Sequence, residues 1–213
     1  MRDRTPEVTT TPADEGPGRR EERKAQNRAK LLAAARKVFA EKGYEEATAR
    51  DIVRETDLAT GTFYNYFPDK QAAFSALLDE MSEKGRALAR AQRLKPGSSL
   101  EDRVAGAYRA YLEWAVEEEE MFEVFRRNAQ AISLMPDREA FELGISELME
   151  DLREWVEQGD LPPLDLDYLA TAGVAIGFQV ATHLVDRDPP DIEGATHFCT
   201  RMFIGGIRAL ADG

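Results

Sequence analysis

The chain has little of what disulfide frameworks, metal sites and catalytic centres are built from. Its 213 residues include one cysteine, Cys199, and two histidines. A lone thiol excludes an internal disulfide and suits a reducing compartment, and so few soft ligands argue against structural zinc. There is no nucleophile elbow and no phosphate loop, and His183 and His197 fall on different expected helices with no triad around them. The chain therefore reads as a non-enzyme without a cofactor. No apolar run opens it, so no signal peptide is expected. The start, "MRDRTPEVTTTPADEGPGRR", is rich in Pro, Thr and charge and reads as a disordered tail over residues 1–20. Aromatic residues are only 8% of the chain, and no stretch alternates long enough to make a strand.

What is abundant is Ala, Glu and Leu, with 43% hydrophobic residues overall. That composition favours helix. Net charge is −12, which taken globally disfavours a polyanionic partner. The distribution reverses that reading. Residues 19–70 carry 12 Lys and Arg against 9 Asp and Glu, whereas the acidic excess lies in residues 71–213. A basic segment on an acidic body can face nucleic acid while the body repels unproductive contact.

Helical periodicity runs through nearly the whole chain. Leu31, Leu32, Ala35, Val38 and Phe39 define one apolar face of a helix expected over 22–42, with Gly43 as its stop. Two short helices follow, one capped by Thr48 and one by Thr60, before Pro68 breaks the chain. Longer helices are expected over 70–93, 100–119, 121–134, 136–158, 165–185 and 192–211. The fold class is all-α, with about nine helices. Residues 21–68 form a helix-turn-helix unit and residues 69–213 a larger body.

The segment "GTFYNYFPDK", Gly61 to Lys70, has four aromatics in five positions. Phe63 and Phe67, one turn apart, face inward onto Val38, Phe39, Ile52 and Val53. The outer face holds small and hydrogen-bonding groups. Gly61 permits close backbone approach, Thr60, Thr62 and Asn65 reach base edges or phosphates, and Tyr64 and Tyr66 offer hydroxyls to phosphate oxygens. Arg50 and Lys70 supply cations beside it. Arg23, Lys24 and Arg28 either touch phosphates or form a solvated run.

Together, "AARKVFAEKGY", "TARDI" and "GTFYNYFPDK" within residues 31–74 resemble the N-terminal DNA-binding domain of the TetR family of transcriptional regulators. The resemblance implies a homodimer on a palindromic operator, usually as a repressor, released by a small molecule bound in the body. It implies DNA contacts from Thr48, Arg50, Thr60, Thr62, Tyr64, Tyr66 and Lys70, with Gly61 at the close-approach position, and a cytoplasmic protein. Two positions depart from the family pattern. The turn glycine is Asp57 here, and the capping serine is Ala59, so that Thr60 caps instead. An activator, or a helical small-molecule binder that has lost its operator, is the alternative.

In the body, residues 168–185 carry no Asp, Glu, Lys or Arg. Interspersed Thr171, Gln179, Thr182 and His183 argue against a membrane span and for a helix covered on all sides. With the last helix it is expected to make a four-helix dimer interface through Gly173, Gly177, Met202, Phe203, Gly206, Ile207 and Leu210. The effector pocket is expected among Tyr111, Trp114, Phe122, Phe125, Phe141, Trp155 and Phe178. "FRRN", residues 125–128, either holds an anionic group or is a surface cluster. "EEEE", residues 117–120, is a solvated helix end or a cation-attracting entrance. Effector binding is expected to act through the 70–93 helix.

Overall fold

The computed structural model describes residues 17–93, 97–135 and 139–211. Among them are nine helices and no strand. In order these are α1 (Pro17–Lys42), α2 (Ala49–Arg54), α3 (Thr60–Phe63), α4 (Lys70–Arg93), α5 (Leu100–Glu117), α6 (Glu119–Leu134), α7 (Glu139–Glu157), α8 (Leu166–Leu184) and α9 (Ile192–Ala211). No helix among the described residues is long and apolar enough to cross a membrane.

Local chemistry sets most boundaries. α1 begins at Pro17, within the segment read as tail, because proline suits a first helical turn whose N–H has no partner anyway. It ends at Gly43, whose φ of +80° takes the chain left-handed. Thr48 caps α2 in a capping box: Asp51 N–H donates to its hydroxyl (3.1 Å), and the Asp51 carboxylate accepts from Thr48 N–H (3.1 Å) and Oγ1 (2.6 Å). Lys42 and the Thr48 donors hold the Asp51 carboxyl down to about 2, so the box stays ionised at neutral pH. Ser99 and Asp102 repeat the box at α5. Glu118 is the hinge residue between α5 and α6. The opening expected for α7 at Pro136–Asp137 lies outside the described residues.

Two buried clusters result. One gathers Val38, Phe39, Ile52, Val53, Phe63, Phe67 and Phe74 around the short helices, and it continues without a break into Leu112, Phe122, Val124 and Leu184. The core of the N-terminal helices is therefore continuous with α5, α6 and α8. The second cluster joins Val104 and Tyr108 of α5, Leu152 and Trp155 of α7, Leu169 of α8 and Cys199, Ile204 and Ile207 of α9.

Cys199 is fully buried there, and burial pushes its thiol up to about 11. At pH 8 the folded protein is expected to resist a thiol reagent such as Ellman's reagent, and the denatured protein to react at once. Rapid stoichiometric reaction of the folded protein would contradict this placement.

Candidate functional site

The reading helix is shorter than its sequence signature. α3 covers Thr60–Phe63, and residues 64–66 continue as turn. The N-cap is Ala59, which offers no side-chain hydrogen bond, so Thr60 is the first helical residue and does not cap. The turn before it needs no left-handed residue: no non-glycine among the described residues has positive φ. Thr56 makes the bend instead. Its hydroxyl donates to the Val53 carbonyl (2.8 Å) and accepts from Leu58 N–H (3.1 Å). Asp57 is thereby released from the role of a turn glycine, and its carboxylate binds Lys30 Nζ at 2.9 and 3.0 Å.

The two faces of the segment separate as expected. Phe63 and Phe67 are buried, at ring-centroid distance 5.7 Å. Thr60, Gly61 and Asn65 are exposed, Tyr64 is 59% exposed, and Thr62 and Tyr66 are half-buried. A side chain added at Gly61 would meet nothing within 4 Å, so its bareness serves no contact within the fold. Arg50 is exposed on α2. The neighbouring Asp51 carboxylate pairs with Lys42 at 2.8 Å. Arg28 lies over the Phe67 ring at 5.6 Å, at the same edge.

Lys70 is placed differently from its expectation as a phosphate contact. Its ammonium donates to the carbonyls of Tyr44 (2.7 Å), Glu45 (3.1 Å) and Ala47 (3.1 Å) and sits 4.5 Å from the Tyr44 ring centroid. An ammonium has three donors, and all three are spent on the loop before α2. Lys70 therefore holds that loop against the start of α4.

In the body, five of the expected pocket aromatics converge from α5, α6 and α8. Trp114 lies 5.8 Å from Tyr111, 6.3 Å from Phe122 and 6.2 Å from Phe125, and Phe122 lies 5.9 Å from Phe178. Trp114 is 7% exposed, and its Nε1–H has no hydrogen-bond partner among the described residues. Burial pushes the Tyr111 phenol up, so it stays protonated. Trp155 is not part of this group; it is buried in the other cluster under the Arg103 guanidinium, 4.8 Å away. The side chain of Phe141 lies outside the described residues. Arg126 is held by Glu123 (2.6 Å) and Asp186 (3.0 Å), Arg127 pairs with Glu123 at 3.4 Å, and Asn128 is buried, so each polar member of "FRRN" is engaged within the chain. Of the acidic run, Glu120 pairs with Arg36 of α1 at 2.7 Å. His183 is exposed.

The expected dimer residues divide. Gly173 and Gly177 face inward: an added Cβ would lie 3.0 Å from the Phe203 ring and 3.2 Å from Tyr108, respectively. Ile207 is buried and Phe203 packs on the same internal cluster. These four serve packing within the chain, because α8 must lie close to α5 and α9. Met202 (56%), Gly206 and Leu210 (65%) are exposed on α9, as is Phe198 (55%), and α8 exposes Tyr168 (78%) and Val174 (40%). The sequence reading missed Phe198, Tyr168 and Val174, although 198, 202 and 206 share one face of a 3.6-residue period.

Comparison with known proteins agrees with this geometry. Residues 31–77 match the model of the family "Bacterial regulatory proteins, tetR family". The transcriptional regulator UidR of Escherichia coli K12 is 26% identical over 188 residues, covering 84% of this chain and 92% of that protein. A transcriptional repressor of Mycobacterium tuberculosis is 38% identical over 69 residues, covering 32% of this chain and 37% of that protein. Among solved structures, the fatty acid degradation regulator FadR of Bacillus halodurans superposes with a TM-score of 0.73 at 21% identity, over 92% of this chain and 98% of that one.

Proposed function

The chain is a TetR-family transcriptional regulator, and on that premise we propose that it works as a homodimeric repressor of a palindromic operator, released by a small-molecule effector. The observation that carries the reading is the outer face of α3 and of the turn that follows it. Phe63 and Phe67 anchor the segment, while Thr60, Asn65 and Tyr64 leave hydrogen-bonding groups exposed beside an unobstructed Gly61. Thr60, Thr62 and Asn65 read base edges or phosphates, Gly61 lets the backbone approach, and the Tyr64 and Tyr66 hydroxyls and Arg50 hold phosphates. Thr48 contributes through its cap, which orients the start of α2.

Dimerisation pairs the exposed apolar residues of α8 and α9 with their copies. Five exposed large apolar side chains on two helices are more than an isolated surface needs. A two-fold pair of readers then meets half-sites about 34–36 Å apart, or a multiple of that. Selection of bound duplexes from random DNA by the purified protein tests the reading. An enriched two-fold motif is expected. No enrichment over bulk DNA would leave a helical small-molecule binder.

The effector site is the aromatic group around Trp114. Its unpaired, buried N–H carries a cost of about 1–3 kcal/mol that an acceptor on a ligand removes. The effector class is thus a largely apolar, ring-containing molecule with one hydrogen-bond acceptor. In a Trp155→Phe protein, where Trp114 alone emits, 1-tetralone is expected to perturb the emission at lower concentration than its hydrocarbon match, tetralin. Equal potency of the two would remove the acceptor from the account.

A further inference from the structure

Asn128 is a buried polar residue on the inner face of α6, 3% exposed. Its amide leaves α6 and finishes another helix. Nδ2 donates to the Phe39 carbonyl (3.1 Å) and to Val124 of its own helix (2.7 Å), and Oδ1 accepts the Tyr44 N–H (2.5 Å). Phe39 O also accepts from Gly43 N–H at 3.1 Å, the bond that closes α1. Beyond a left-handed Gly43, the Tyr44 N–H has no helical partner of its own. A body helix therefore caps the first helix of the reader.

Tyr44 is held a second time, by α4. Its carbonyl accepts Lys70 Nζ at 2.7 Å, and its ring lies 4.9 Å from Phe74. Lys70 also grips Ala47 O, one residue before the Thr48 cap of α2. The loop of residues 43–48 is thus clamped between α6 and α4 and ends where the reading pair starts. One turn before Asn128, α6 places Phe125 against Trp114. A second tie between α6 and α1, Arg36 with Glu120, is partly exposed and contributes little.

We infer that Asn128 is the positioning residue that relays the state of the aromatic site to the reading helices, by carrying Tyr44 and the 43–48 loop with any movement of α6. The inference rests on the proposed operator-binding function and assigns its regulation. Any shift of α6 either moves the loop or breaks the Asn128 bonds. Coupling is reciprocal, so DNA on α3 must also be felt at Trp114.

The test uses the full-length Trp155→Phe protein and a duplex enriched by the selection above. Duplex binding is expected to shift Trp114 emission. Adding Asn128→Ala is expected to abolish that shift while the duplex still binds, followed by anisotropy. If Asn128 only caps α1, the variant loses thermal stability but keeps the shift, and the inference falls. It falls equally if the parent protein binds the duplex with no shift. Should Asn128→Ala fail to fold, hydrogen exchange of the Tyr44 amide decides in the parent: duplex must change its rate, and an unchanged rate overturns the relay. Absence of any specific duplex would instead count against the proposed function itself.

Discussion

Replacing Tyr64 by alanine is expected to leave the fold intact and to weaken operator binding by about 10²- to 10⁴-fold. Tyr64 is 59% exposed and gives the fold only an edge contact to Phe63, 5.4 Å between centroids. Its loss costs little in stability, and the melting temperature should move by no more than a few degrees. On DNA the situation differs. A hydrogen bond to a charged phosphate contributes about 1.5–3 kcal/mol, and a palindrome engages two copies. Together these reach about 3–6 kcal/mol, or roughly two to four decades in Kd. Tyr64→Phe keeps the ring and should lose most of the same affinity. Anisotropy titrations of the enriched duplex check both variants, and wild-type affinity in either would remove Tyr64 from the interface.

Replacing Met202 by glutamate should turn the dimer into a folded monomer. Met202 is 56% exposed in the single chain, so a carboxylate there is solvated and harmless to the subunit. In the proposed dimer it would be buried twice, among Phe198, Leu210 and their copies. An unpaired charge in such a place costs about 3–5 kcal/mol, so the dissociation constant should rise by at least about 10³-fold. Sedimentation equilibrium reads the mass directly. Operator binding should fall with it, because one reader then contacts one half-site. A variant that stays dimeric, or a wild type that is monomeric at micromolar concentration, contradicts the assigned face.

The reader was legible because its residues act where they stand. Gly61, Phe63, Tyr64 and Phe67 sort by helical direction alone, and the Thr48 capping box is a local signal. The limits of α4 and α9 follow from Asp69, which caps through Ala72 N–H, and from the apolar period after residue 192. What escaped depends on neighbours distant in sequence. Periodicity says that Gly173 and Gly177 lie on a buried face but not that Phe203, Tyr108 and Tyr111 of the same chain cover them. Lys70 looks like a phosphate ligand until three loop carbonyls come within its reach. Asn128 left a weak signal, a polar residue in the stripe of Met121, Val124 and Ile132. A buried amide in such a stripe must find partners, and these were 84 and 89 residues away.

The central claim is that the outer face of α3 and of the turn after it, with Tyr64, meets the DNA backbone once in each half of a two-fold site. Phosphate-ethylation interference on the enriched duplex, with wild type and Tyr64→Phe side by side, tests it most directly. Two clusters of sensitive phosphates related by a dyad are expected, and the phosphate held by Tyr64 should disappear from each in the variant. A single cluster without a dyad, or an identical pattern for both proteins, would contradict the account.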